Sequence, residues 1–183
     1  MITPTQGLRH GFAGLMEAYN GQRVGAATVA LGIAEGAYAK ALAFAQEREQ
    51  FGRPICEFQG LQWMLVDMST QIAAAQALVY KAANCGDGFP DVTEAAQAKI
   101  FTADMAIQVT NDALQVFGAT GYGRARPMER MVRDARMFTI GGGTAQILRT
   151  VVASRILDRK LPQTRNGYAS LAEEKTGEIK RHA

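Results

Sequence analysis

A chain of 183 residues fits one domain, and 48% apolar with 20% charged residues is the balance of a folded protein with a real core. The net charge of +3 is small and the basic residues are scattered among acids, which argues against a nucleic-acid face; the basic ending Lys180-Arg181-His182 reads as a tail. Two cysteines, Cys56 and Cys85, and two histidines, His10 and His182, are too few and too far apart for a disulfide framework, a zinc site or a Ser/His dyad.

Residues 19–49 are rich in Ala and Leu up to the stop at Gly52-Arg53-Pro54. Within them Val24, Ala27, Leu31, Ala34, Tyr38 and Leu42 recur at helical spacing. Gly25, Ala26, Ala30, Gly32 and Gly36 are small enough to let neighbouring backbones approach this first helix closely. A second helix is expected over 58–84, with Leu61, Met64, Leu65, Met68, Ile72, Ala75 and Val79 on one face. Gly86-Asp87-Gly88-Phe89-Pro90 is a turn. Asp91 and Glu94 then have the spacing of a capping box, with Asp in place of Ser or Thr, opening a third helix to about Phe117.

Residues 118–140 are rich in Gly and Arg, with one short helix over 128–135, and a fourth helix follows Gly141-Gly142-Gly143 over 144–161. The expected fold is all-α, an antiparallel four-helix bundle over 19–162, with a lead-in at 1–18 and a polar tail at 163–183. Strand-like alternation and internal repeats are absent. The N-terminus lacks a signal-peptide pattern, and no apolar run approaches the roughly 20 residues of a membrane span. The expected compartment is the cytoplasm.

The chemistry lies in the loops. Gly141-Gly142-Gly143-Thr144 immediately before a helix can cradle an anion, because helix N-terminal amides point outward and the dipole favours negative charge. It lacks the Lys and the preceding strand of an ATP-binding loop. Gly118-x-x-Gly121-x-Gly123 follows a helix, so it is not a dinucleotide fingerprint. On spacing alone, such clusters are more often tight turns than ligand sites.

Four motifs, in order, carry a resemblance. Arg48-Glu49-Gln50-Phe51-Gly52-Arg53-Pro54 followed by Phe58-Gln59 and Gln62, Ala113 to Gly118 with Gly121-Tyr122-Gly123, Arg133-Asp134-Ala135-Arg136, and Ile140 to Arg149 together resemble the acyl-CoA dehydrogenases. The resemblance implies the C-terminal helical domain of an enzyme that also has an N-terminal helical domain and a middle β-barrel. It implies flavin adenine dinucleotide (FAD) bound between subunits, an acyl-CoA thioester as substrate, and a homo-oligomer, usually a tetramer. Arg48, Gln50 and Phe51 would reach the FAD of a neighbouring subunit, with donors for a pyrophosphate and an aromatic for an adenine face. Gln59, Gln115 and Gly118 would lie along the cofactor, and Thr144 and Gln146 would contact it from the start of the last helix.

The family removes an α-proton of the thioester with a Glu two residues before the Thr of the last motif; here that position is Gly142. A minority of members place the Glu just before the Arg of the first bundle helix; here that position is Gln22, before Arg23, and an amide has no useful basicity near neutral pH. The stretches Ala18 to Gly25 and Phe138 to Thr150, with Leu161-Pro162-Gln163-Thr164-Arg165, resemble one branch, the 3-sulfinopropionyl-CoA desulfinases. These keep the fold and FAD but release sulfite and form propionyl-CoA without net flavin turnover. On that resemblance Gln22 orients the acyl chain or a water, and Tyr19, Asn20, Arg23 and Gly142 flank the acyl-CoA. The competing readings are that Gln22 satisfies an orphan amide at a helix N-terminus, that a base comes from the other half of the enzyme, or that the chain is a non-catalytic oligomerising piece.

Overall fold

The computed structural model describes residues 4–84, 88–159 and 161. Helix α1 (Pro4–Glu47) is 44 residues long and starts at Pro4, not near Tyr19. Three glycines at positions 7, 11 and 14 make this stretch read as a lead-in, since each costs about 1 kcal/mol relative to Ala in a helix. Extending a helix whose nucleus is already packed is cheap, however, and a proline is tolerated in the first turn. The tail at 163–183 and Gly86-Asp87 of the 86–90 turn lie outside the described residues.

The face α1 buries is narrower in side-chain size than expected. Ala27, Ala30, Ala34, Ala37, Ala41 and Ala45 are all 0–1% exposed, whereas Tyr38 and Leu42 are half-buried. Close backbone approach therefore comes from the alanines. A Cβ added at Gly25 or Gly32 would meet nothing within 4 Å, contrary to the close-packing role expected for them. Gly36 is different: a Cβ there would lie 3.3 Å from Met131 Cε.

A two-residue antiparallel hairpin, β1 (Glu49–Gln50) with β2 (Arg53–Pro54), follows α1. Alternation cannot reveal strands this short. A 3-10 turn at Ile55–Glu57 leads into α2 (Gln59–Ala83), which buries Leu65, Met68, Ile72, Ala75 and Val79 as expected. Helix α3 (Val92–Phe117) is capped by Asp91, whose carboxylate accepts from the amides of Thr93 (2.8 Å) and Glu94 (3.1 Å). The Glu94 carboxylate pairs with Lys81 of α2 at 3.1 Å.

Successive long helices run in opposite directions, so α1 and α3 lie parallel, and their C-terminal ends meet where Phe44 and Phe117 stack at 4.2 Å between ring centroids. One turn of helix, α4 (Ala119–Tyr122), and the short α5 (Met128–Met137) bring the chain back along the bundle. Helix α6 (Ala145–Ile156) then packs on α3, tied by Arg149 to Asp104 at 2.6 Å. It ends short of Leu161 because Asp158 turns left-handed (φ 46°).

Candidate functional site

The expected site residues fall into two groups at different levels of the bundle. The first gathers at the hairpin. Phe51 (φ 54°) and Gly52 (φ 76°) are successive left-handed residues, the φ signs of the tight hairpin turn whose first position suits Asn, Asp or Gly. A phenylalanine there costs about 1–2 kcal/mol of backbone strain, yet the residue is 92% exposed. It meets the Phe58 ring edge-on at 6.1 Å, while the Arg53 guanidinium lies over that ring at 4.2 Å. Arg48, Gln50 and Gln59 are exposed around it, with the Gln50 side-chain amide donating to the Glu49 carbonyl at 2.8 Å.

The C-terminus of α3 reaches the same end. Gln115 is exposed, and Gly118 takes φ 56°, ψ −140°, a conformation essentially restricted to glycine, to end the helix. Gly121 is needed for a different reason, since a Cβ there would sit 2.6 Å from Phe117 Cβ. A recess of about 190 Å³ opens here between Lys40, Phe44, Glu47, Phe117 and Arg126.

The second group surrounds the turn before α6. Asn20 is 6% exposed and accepts a 2.8 Å bond from Arg23 Nη1, while Arg23 Nε is buried with no partner among the described residues. Tyr19 is half-buried; Gln22 is exposed, and its side chain makes no hydrogen bond to another described residue. Because α1 begins at Pro4, Gln22 sits mid-helix, so the reading that it satisfies an orphan N-terminal amide is ruled out.

Gly142 (φ 70°) and Gly143 (φ 92°) reverse the chain, a conformation few side-chain-bearing residues adopt readily. Thr144 caps α6 by accepting from the Ile147 amide at 3.2 Å, which leaves its hydroxyl proton available, and Gln146 is exposed. Arg136, from the Arg-Asp-Ala-Arg motif, donates to the Thr139 hydroxyl at 2.5 Å, and the Thr139 carbonyl accepts from the Ala145 amide at 3.0 Å. The amides of Gly142, Gly143 and Thr144 have no acceptor among the described residues.

Lys99 joins the two sides, and the sequence reading passed over it. It is 0% exposed on α3, and its ammonium donates to the Gly143 carbonyl at 2.5 Å. Burial pushes its pKa down, the nearby Arg23 charge pushes it further down, and Asp104 opposes both. The signal was present, since a lysine lies on the same face as Ala95, Ala98, Thr102 and Ala106, where every other residue is small and buried. Among the described residues, Asp104 is the carboxylate that acts on Lys99, and it already accepts from Arg149.

From Arg23 to Glu47, α1 rises about 36 Å at 1.5 Å per residue. Within one chain, the hairpin and the α6 turn therefore cannot grip the same end of one ligand. A larger groove of about 690 Å³ between α2, α3 and α6 contains none of the expected site residues. No helix among the described residues is long and apolar enough to cross a membrane.

The order of these pieces, from hairpin through glycine-ended α3 to glycine turn and capped α6, is matched over residues 9–157 by the family model described as the acyl-CoA dehydrogenase C-terminal domain. The chain belongs to the acyl-CoA dehydrogenase family. Among the curated members of this family, the 3-sulfinopropanoyl-CoA desulfinase of Cupriavidus necator is 65% identical over 92% of the chain. That of Advenella mimigardefordensis is 65% identical over 94%. The short-chain-specific acyl-CoA dehydrogenase of Clostridium acetobutylicum is 44% identical over 85%. The chain spans 42–43% of the length of these three relatives. Among solved acyl-CoA dehydrogenase structures, butyryl-CoA dehydrogenase from Megasphaera elsdenii superposes with a TM-score of 0.78 at 42% identity, covering 80% of this chain and 39% of that one.

Proposed function

We propose that this domain serves an FAD-containing enzyme that converts 3-sulfinopropionyl-CoA and water to propionyl-CoA and sulfite. The C–S bond breaks, carbon gains a hydrogen, and sulfur gains an oxygen from water. The observation that carries this reading is the absence of a base. Gln22 and Gly142 occupy the two positions from which family members remove an α-proton, and neither side chain can accept one. Their surroundings do not compensate, since Arg23 and Lys99 bring positive charge to this level of the bundle and Asp104 is engaged by Arg149. A positive field suits an acyl chain that ends in an anion better than it suits a saturated hydrocarbon one. The 65% identity to two desulfinases supports the same choice.

The residues present fit FAD as one half of its site. Arg48, Gln59 and Gln115 offer exposed donors, and the strained, exposed Phe51 offers a flat face, which suit phosphates and adenine. Thr144 and Gln146 would meet the cofactor at the other group. When bound, FAD supplies an electron-poor flat ring beside the acyl carbons. The 36 Å scale separating the two groups supports a homo-oligomer, tetrameric as the motifs imply, in which each FAD meets the hairpin of one chain and the α6 turn of another. Exposed Trp63, Val66 and Phe101 are consistent with such an assembly. Tyr19, Asn20, Arg23 and Gly142 flank the acyl-CoA, and the free amides of the turn can donate to its thioester carbonyl. The parts outside this chain are the N-terminal helical and β-barrel domains, and the working compartment is the cytoplasm.

One experiment tests the reading. The chain is combined with the N-terminal half of its enzyme and offered 3-sulfinopropionyl-CoA, and in parallel a saturated acyl-CoA with an electron acceptor. Sulfite release without acceptor reduction is expected. Acceptor reduction without sulfite would instead establish the second reading, an acyl-CoA dehydrogenase, which the 44% identity to the Clostridium enzyme favours.

A further inference from the structure

An ammonium buried on the small-residue face of α3 needs a reason. A methionine of similar length would fill the volume without removing a charge from water. What lysine adds is a hydrogen-bond donor, and the structure shows where it goes, to the Gly143 carbonyl at 2.5 Å. Besides the Gly141 amide, which donates to the Met137 carbonyl at 2.8 Å, the turn has few other bonds to fix it. Gly142 and Gly143 carry no side chains, their φ angles of 70° and 92° lie outside the usual wells, and their amides are unbonded to any described residue. The Thr139 carbonyl holds one edge through Ala145, and Lys99 is the one described side chain that bonds the glycine segment itself. Arg23, whose charge acts on Lys99, places the Asn20–Arg23 turn of α1 at the same level.

We propose that Lys99 is a positioning residue for the acyl-CoA. By drawing the Gly143 carbonyl into the bundle it fixes the Gly141–Thr144 turn, so that the unbonded amides of Gly142, Gly143 and Thr144 are held toward the thioester. The part of this proposal that concerns the reaction rests on the reading above that the turn meets the acyl group; the part that concerns the turn does not.

The test compares the 183-residue chain with its Lys99→Met variant by backbone NMR relaxation. Order parameters of Gly142 and Gly143 are expected to fall from the rigid value of about 0.85 to below about 0.6, while those of α1 and α2 stay unchanged. Unchanged glycines, or loosening throughout the bundle, would overturn the proposal. Should the variant not fold, the wild-type chain decides: a scalar coupling from Lys99 Nζ to the Gly143 carbonyl carbon supports the bond, and its absence refutes it. In the chain combined with its N-terminal half, Lys99→Met should lower kcat at least tenfold with FAD content unchanged. A normal kcat would remove the role in positioning substrate. If the wild-type enzyme releases no sulfite at all, the functional reading fails, while the relaxation result still judges Lys99.

Discussion

Replacing Phe51 by Asn should separate stability from cofactor binding. Phe51 sits at φ 54° with 92% of its surface exposed, so it contributes little burial and carries about 1–2 kcal/mol of strain. Asn adopts this backbone readily, which removes most of that strain. The loss is one edge-on contact with Phe58 at 6.1 Å, an interaction of about 0.5–1.5 kcal/mol. The two nearly cancel, and the net change should lie within about 1 kcal/mol of zero, a Tm shift of about 2–4 °C for a domain of this size. A buried phenylalanine would behave differently, costing about 3–5 kcal/mol on truncation. Thermal unfolding followed by circular dichroism checks the first half. FAD titration of the chain combined with its N-terminal half checks the second, where Kd should weaken at least tenfold, about 1.4 kcal/mol. A Tm drop beyond about 8 °C would show that Phe51 holds the bundle together, and unchanged FAD affinity would show that the strain serves something other than the cofactor.

Other outcomes follow from the same geometry. Asp91→Ala removes the α3 cap and should cost about 1 kcal/mol at pH 7 in urea unfolding. The Glu94 amide, helped by the Thr93 amide and the Arg155 charge against the opposing effect of burial, holds the Asp91 pKa below its ordinary value. Its contribution is therefore complete above the unfolded value of about 3.9 and vanishes as pH falls through the folded one, so the gap between wild type and variant should close only in that acid range. Gly121→Ala forces a Cβ to within 2.6 Å of Phe117 Cβ and should destabilise by about 1–3 kcal/mol, measurable by the same unfolding assay. Gly142→Glu meets open space but a φ of 70°, so it should fold with a cost of about 1–2 kcal/mol and gain acceptor-linked oxidation of a saturated acyl-CoA. Failure to gain that oxidation in a folded, FAD-loaded variant would mean the turn does not face the acyl chain.

The long helices were legible because each has an apolar face repeated over several turns. The α2 stripe from Leu65 to Val79 is buried as the spacing requires, and Asp91 caps α3 where its position before the apolar run demands. The start of α1 was hidden by glycines that the helix tolerates, and the hairpin was hidden by its length, since two residues per strand carry no period. Tyr38 and Leu42 drew attention by size, although the true contact line runs through alanines, whose small side chains set how closely α1 and α3 can lie.

The site divided in the same way. The motif residues were readable in order, but their separation into a hairpin group and a turn group is a property of helix length that no motif displays. Lys99 belongs to no glycine cluster and no catalytic pattern. Only its place on a buried face marked it, and that mark is physical, a charge on a helix face whose other residues are apolar or small.

The central claim is that this scaffold acts on its thioester without removing an α-proton. The most direct measurement supplies 3-sulfinopropionyl-CoA carrying two deuterons at the α-carbon to the enzyme containing this domain and weighs the propionyl-CoA formed. Retention of both deuterons, with no primary isotope effect on sulfite release, is the predicted result. Loss of an α-deuteron to water in step with sulfite release would contradict it, and would mean that a base outside Gln22 and Gly142 does the work.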